Sequence, residues 1–321
     1  MLKHMLKTVL ITGAAGFIGS HLVDRCLDES YTVIGIDNLS TGCLSNLSSA
    51  FKNPHFHFQV EDVRDVRHIH TDQIFNLACP ASPIQYKKDP HFTFTSSVIG
   101  ALKLIEIAKN RKCTIIQAST SEIYGDPEVH PQREDYCGYV NPIGERSCYD
   151  EGKRAAETIF HDANRSWGMD NRTVRIFNTY GPRMAFEDGR VISSFIHQSL
   201  TNKPITIFGD GSQTRSFCFI TDLIDGLFKV SLLPSLDGPI NLGNPNEITI
   251  SELATLVLNS VTYFNTNKSS DIQYLPLTAD DPKKRCPDIT KANNLLGWYP
   301  ITNIQEGLYK TLSDFKERLC E

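Results

Sequence analysis

A β-branched apolar run, Thr8-Val-Leu-Ile-Thr12, passes directly into Gly13-Ala-Ala-Gly16-Phe-Ile-Gly19 and then into a stretch with apolar residues at Leu22, Val23 and Leu27. No other feature limits the fold so strongly. The run reads as a buried strand and the later spacing as a helix, and the glycines between them permit a tight turn. A helix that starts on such a turn presents unpaired N–H groups and the positive end of its dipole, which suits a pyrophosphate. The spacing is G-x-x-G-x-x-G, for which a purely structural turn is the competing explanation. The next strand, Thr32 to Ile36, ends in Asp37, a carboxylate about 20 residues on that suits an adenosine ribose. Asn38 and Leu39 follow, with no arginine to receive a 2′-phosphate, so NAD is expected rather than NADP.

The alternation continues. Phe56 to Val60 reads as a third strand with Asp62 and Val63 at its end, near the expected adenine. Gln73 to Leu77 is a fourth, ending in a loop from Ala78 through Cys79 and Pro80 to Pro83, whose prolines discourage further strand. A helix is expected over Phe92 to Lys109, then a fifth strand, Thr114 to Ala118, ending in Ser119-Thr120-Ser121-Glu122. Residues 125–148 carry prolines and glycines with little periodicity and read as a long shaped loop. Thr173 to Phe177 is a sixth strand, leading into Asn178-Thr-Tyr-Gly-Pro-Arg183. Strands alternating with helices predict an α/β fold, a doubly wound parallel sheet, with ligands beyond the carboxyl ends of its strands. After about residue 184 the texture changes. Helical patterns near 191–201, 221–233, 250–260 and 303–318 mix with short strands such as Ile205 to Phe208. The expected division is a cofactor-binding domain, 1–183, and a smaller α/β substrate domain, 184–321. Two polar loops in the latter, Gly209 to Arg215 and Asp280 to Arg285, each hold an arginine suited to diphosphate or carboxylate.

A helix is predicted to start near Cys148-Tyr149-Asp-Glu-Gly-Lys153, with Tyr149 and Lys153 on one face, a turn apart. A phenol with a pKa of about 10 is a poor base at neutral pH, and lowering it by about 3 units takes roughly 4 kcal/mol. A neighbouring ammonium, helped by a cationic nicotinamide, is expected to contribute. The phenolate then suits proton removal from a sugar hydroxyl while a hydride leaves the same carbon.

The chain has 321 residues, 40% of them hydrophobic, and a net charge of -5 with both signs interspersed. That composition argues against a general nucleic-acid binder. Nine cysteines without a Cys-x-x-Cys pair suit reduced thiols in a cytoplasmic enzyme; no metal set and no membrane association are expected. Lys3 and Lys7 before an apolar run faintly mimic a signal peptide, but the run is too short and meets glycines at once.

Taken together, these residues resemble the extended short-chain dehydrogenase/reductase superfamily, from Thr12-Gly-Ala-Ala-Gly-Phe-Ile-Gly-Ser-His21 almost to the C-terminus. Within it the resemblance is to UDP-glucuronate decarboxylases, also called UDP-xylose synthases. It is carried by Ala118 to Pro131, Asn141-Pro-Ile-Gly144, Cys148 to Arg154, Arg175 to Arg183, Gly211 to Arg215, Asn241 to Pro245 and Asp280 to Asp288. The resemblance implies a Rossmann-type fold and a catalytic triad of Thr120, Tyr149 and Lys153. Glu122 and Arg285 would act around the sugar and its carboxylate, with Ser121 and Pro80 nearby; Asn178, Arg183 and Arg215 would help hold UDP. The expected cofactor contacts are Gly13, Gly16, Phe17, Ile18, Asp37, Asn38, Thr41, Gly42, Asp62, Val63, Leu77, Cys79, Tyr149 and Lys153. A homodimer pairing the helices that start near residues 92 and 149 is also implied. The expected reaction converts UDP-glucuronate to UDP-xylose through a 4-keto intermediate with recycled NAD. A nucleotide-sugar 4-epimerase, a 4,6-dehydratase and a non-catalytic dinucleotide sensor are the alternatives. Ser97, Thr95 and Cys79 depart from residues common in that family, and Ser97 is expected to loosen a backbone contact near the site.

Overall fold

The computed structural model describes residues 7–67, 69–264, 270–276 and 284–320; Lys3 and the Asp280 to Lys283 part of the second arginine loop lie outside them. Strands β1 (Thr8–Thr12), β2 (Thr32–Asp37), β3 (Phe56–Val60), β4 (Gln73–Asn76), β5 (Thr114–Thr120) and β6 (Asn171–Ile176) build the main sheet. A seventh strand, Ile240–Leu242, completes it in the order Ile240–Leu242, β6, β5, β4, β1, β2, β3. Every pairing is parallel. The order reverses direction between β1 and β4, and the crevice of such a sheet opens at that point.

Both faces of the sheet's centre are covered, which is why β1 is buried along nearly its whole length and β4 along all of it, whereas the edge strand β3 alternates and is largely open. On one face Leu10, Ile74 and Ile115 pack against Leu104 and Ala108 of helix α3 (Pro90–Arg111) and Phe160 of α4 (Ser147–Trp167). On the other, Val9, Ile11 and Phe75 join Leu22 and Val23 of α1 (Phe17–Asp28) and Leu223 and Leu227 of the helix Ile220–Leu232. Neighbouring residues of β1 thus point to opposite cores, as strand geometry requires. In α4 the buried stripe is Tyr149, Gly152, Lys153, Ala156, Phe160 and Ala163. That stripe follows helical spacing and places a tyrosine and a lysine where apolar residues would ordinarily sit.

The structure refines the sequence boundaries in three places. A short helix, α2 (Pro83–Lys88), begins where only loop was expected, because proline is well tolerated in a helix's first turn. β5 runs on through Thr120, so Ser119 and Thr120 belong to the strand end. The segment before α4 is held by isolated bridges, Gly125 to Tyr139 and Gln132 to Pro287. Beyond the main sheet, strands Thr214–Ser216, Glu247–Thr249 and Lys284–Arg285 form a small sheet that sets Arg285 opposite Arg215.

Candidate active site

The carboxyl ends of the main strands open onto a cavity of about 1010 Å³. Its cofactor side is the turn after β1. Gly13 has φ +69°, and a Cβ on Gly19 would come within 2.0 Å of the Gly13 carbonyl oxygen, so this turn accepts glycine for steric reasons. No side chain caps α1, which leaves first-turn N–H groups for an anion beside Gly16, Phe17 and Ile18 in the cavity wall. Asp37 is 8% exposed and accepts the N–H groups of Ala15 and Leu39 at 2.9 and 2.8 Å. Burial pushes its carboxyl up, and those hydrogen bonds oppose the rise.

Tyr149, Lys153 and Thr120 share the cavity wall. Lys153 Nζ donates to the Ala118 carbonyl at 2.8 Å and stands 5.8 Å from the centre of the Tyr149 ring. Burial lowers the Lys153 ammonium. Lys153 is not among the main influences on the phenol. Burial dominates and pushes Tyr149 above its ordinary value, and the nearby Cys79 sulfur adds to this. The groups that favour the phenolate are Thr120, through a hydrogen bond, and the Arg190 guanidinium.

Next to this cluster Glu122 is gripped by two guanidiniums, those of Arg285 and Arg146. Thr120 caps the 3₁₀ turn Ser121–Tyr124 by accepting the Glu122 N–H at 3.2 Å, which aims the Glu122 side chain. Arg285 is 4% exposed, far from the solvated loop arginine that its polar surroundings in sequence allow. Burial lowers its pKa to about 10. One carboxylate thus bridges two guanidiniums at the edge of the cavity.

The cavity wall gathers Gly13, Gly16, Phe17, Ile18, Asp37, Asn38, Thr41, Val63, Leu77, Cys79, Pro80, Thr120, Ser121, Glu122, Tyr149, Lys153, Asn178, Arg183, Arg215 and Arg285. It does not include two expected positions. Gly42 sits behind Asp37, whose Oδ2 would lie 2.8 Å from a Cβ there. Asp62 is occupied with the Asn38 amide at 2.8 Å and with Arg64. Arg183 is itself anchored, its guanidinium on Asp24 at 2.6 Å and its N–H on Asp314 at 3.1 Å. Ser97 places its hydroxyl 3.2 Å from the Cys79 sulfur, so a direct side-chain contact is found at that position. Thr95 Oγ1 accepts from Arg64 at 3.1 Å.

Three wall residues escaped the sequence reading. Tyr86 stacks on Tyr149, Arg146 holds Glu122, and Arg190 donates to the Ala81 carbonyl at 2.9 Å. Arg146 lies three residues before Tyr149, a helical spacing that offered a signal. Tyr86 and Arg190 carried none, being isolated in irregular sequence.

A sequence profile described as GDP-mannose 4,6 dehydratase matches residues 10–311. The chain is 48% identical over 318 residues to UDP-glucuronic acid decarboxylase 2 of Arabidopsis thaliana, covering 99% of this chain and 70% of that one. It is 50% identical over 313 residues to UDP-glucuronic acid decarboxylase 5 of the same plant, covering 97% and 90%. Among solved structures it is similar to UDP-glucuronic acid 4-epimerase from Bacillus cereus in complex with UDP-glucuronic acid and NAD. That similarity has a TM-score of 0.87 at 29% identity, covering 97% of this chain and 99% of that one. With these relatives and the parallel sheet above, the chain belongs to the UDP-glucuronic acid decarboxylases, in the extended short-chain dehydrogenase/reductase superfamily.

Proposed function

We propose that this chain decarboxylates UDP-glucuronate to UDP-xylose with NAD as a recycled cofactor, and that Tyr149, Thr120 and Lys153 carry the proton chemistry. The observation that supports it most is the Glu122–Arg285–Arg146 group beside that triad in one cavity. A carboxylate-bearing sugar has its charge met there while its 4-hydroxyl faces the phenol.

The glycine turn, the uncapped start of α1 and Asp37 fit a dinucleotide, with the N–H groups toward its pyrophosphate and Asp37 toward a ribose. When bound, NAD supplies a hydride acceptor and donor for sugar C4. Tyr149 as phenolate removes the 4-hydroxyl proton, favoured by Thr120 and Arg190 against burial. Lys153, fixed on the Ala118 carbonyl, carries positive charge beside the ring. In the 4-keto sugar the carboxylate is β to the ketone, so loss of CO2 leaves an enolate. Tyr149, now a phenol, and Thr120 donate to its oxygen. Glu122 offsets part of the charge of Arg285, so the sugar carboxylate is oriented without being pinned. Protonation at C5 and reduction at C4 give the pentose. Arg183, Arg215 and Asn178 line the part of the cavity assigned to UDP.

The proposal extends to a homodimer and a cytoplasmic setting, and to a mainly substrate-binding part after residue 183, from which the helix Ile220–Leu232 and the strand Ile240–Leu242 return to the cofactor-side sheet. Helix α3 leaves Phe94, Ile99 and Leu102 exposed, a surface suited to a second copy. All nine cysteines are free, and no described helix is long and apolar enough to cross a membrane.

The deciding experiment supplies UDP-glucuronate labelled at its carboxyl to the NAD-loaded protein without added reductant. Labelled CO2 and a UDP-pentose are the expected products. Formation of an epimeric UDP-uronate with the label retained would show the epimerase reading instead.

A further inference from the structure

Outside the cleft, three side chains from distant parts of the sequence converge. His130 comes from the connection before α4, Glu247 from the start of the strand Glu247–Thr249, and Cys286 from the residue after Arg285. Their ligand atoms, one nitrogen, one oxygen and one sulfur, all lie within 4.8 Å of one another. None of the three lines the cavity.

We propose that His130, Glu247 and Cys286 form a binding site for a thiophilic divalent cation, with Zn²⁺ as the preferred ion. An imidazole, a carboxylate and a thiolate are the donor set that zinc takes, with bonds of about 2.0 to 2.3 Å. Mg²⁺ and Ca²⁺ select oxygen and would leave the sulfur unused.

Glu247 and the Cys286 backbone are held in place, while the Cys286 thiol donates to the Pro245 carbonyl at 3.3 Å, a hydrogen bond given up when the thiol loses its proton to the metal. Glu247 Oε1 accepts the Thr214 hydroxyl at 2.7 Å, which turns Oε2 toward His130 Nε2 at 2.9 Å. The Cys286 backbone is clamped by Gln132, which accepts the Cys286 N–H on its side chain at 2.8 Å and donates its own N–H to the Cys286 carbonyl at 2.8 Å. Supporting hydrogen bonds of this kind orient ligands in metal sites. The His130 and Glu247 side chains are 33% and 24% exposed, so an ion reaches the site from solvent and a water completes a tetrahedron. On binding, the metal–sulfur bond replaces the Cys286 S–H bond, and the proton leaves to solvent.

Such an ion would tie three segments together next to the sugar-side arginines. Cys286 follows Arg285 directly, and the strand of Glu247 pairs Ile248 with Arg215. Zinc would therefore act as a structural clamp on that corner. The proposal stands independently of the reaction assigned to the cleft.

The test uses the NAD-loaded protein, stripped with a chelator and titrated with Zn²⁺ or Co²⁺ alone. The expected result is one equivalent bound, a thiolate-to-cobalt charge-transfer band, a raised thermal midpoint and no competition from excess Mg²⁺. Cys286→Ser should abolish the band, and His130→Ala, at a partly exposed position, should weaken Zn²⁺ binding roughly tenfold or more. Cys43, Cys137 and Cys320 are exposed and are replaced by serine in the background used for the spectra, so that their thiolates add no band. The proposal is overturned if the wild-type protein shows no thiolate band, or if the band survives Cys286→Ser. Where Cys286→Ser folds poorly, His130→Ala decides the matter instead: a band and an affinity unchanged in that variant would overturn the proposal.

Discussion

The rings of Tyr86 and Tyr149 lie stacked, with centroids 5.2 Å apart and planes within 6°. Tyr86 thus covers one face of the proposed base, and burial is the main cause of the raised Tyr149 pKa. Replacing Tyr86 with alanine admits water to that face. The expected outcome is a loss of roughly 3–5 kcal/mol in stability. If Tyr149 acts as phenolate, the rising limb of the pH profile of kcat/KM also moves to lower pH. Tyr86→Phe keeps the stacked ring and should move that limb less. A profile unchanged in Tyr86→Ala would mean that this ring does not set the acidity of the base.

Glu122 compensates two guanidiniums, one of which is buried. Glu122→Gln should therefore cost about 3–5 kcal/mol, because removing one partner of a buried pair leaves an unmatched charge. Chemical denaturation measures this directly. The variant should also retain UDP-glucuronate more tightly than it turns it over, with kcat falling more than KM.

Asp150, beside Tyr149 in the first turn of α4, is 7% exposed, and burial pushes its carboxyl up to about 7. A helix N-terminus favours negative charge, so burial here outweighs the dipole. The sign follows from linkage. Between about pH 4 and 7 the unfolded chain releases this proton while the folded one keeps it, so stability falls as pH rises through that window. Asp150→Asn should match the wild type near pH 4 and exceed it at pH 8 by up to about 4 kcal/mol. Thermal midpoints measured across pH check this; a wild type that is the more stable at pH 8 would contradict it.

A methyl group at Gly19 meets the Gly13 carbonyl, which itself accepts the Gly16 N–H at 3.1 Å. Gly19→Ala must therefore shift the start of α1. The expected cost is about 1–3 kcal/mol in stability. A tenfold or larger rise in the Kd for NAD, about 1.4 kcal/mol, should accompany it. Calorimetry on the apoprotein reads both.

Proton removal by Tyr149 should account for most of the rate. Tyr149→Phe keeps the stacked ring but has no ionisable oxygen, so kcat should fall by about 10²–10⁴ while NAD still binds. Steady-state kinetics with cofactor titration separates the two effects.

Much of this was legible from local sequence. The six strands from Thr8 to Ile176 and the glycine turn announce themselves because buried parallel strands and tight turns each demand particular residues within a few positions. Tyr149 and Lys153 could be set on one face because helical spacing alone determines that. α2 was missed because its six residues are too few to show a period. The sheet strand Ile240–Leu242, three residues long, gave no sign that it belongs beside β6.

The amino-acid order, taken alone, determined which segments become strands and helices and which side of each is apolar, since these depend on neighbours one turn or two residues away. The pairing of Arg285 with Glu122, the stacking of Tyr86 on Tyr149 and the meeting of His130, Glu247 and Cys286 were decided only by the tertiary structure. Those contacts join residues far apart in the chain, and their burial sets charge and acidity, so no local spacing encodes them.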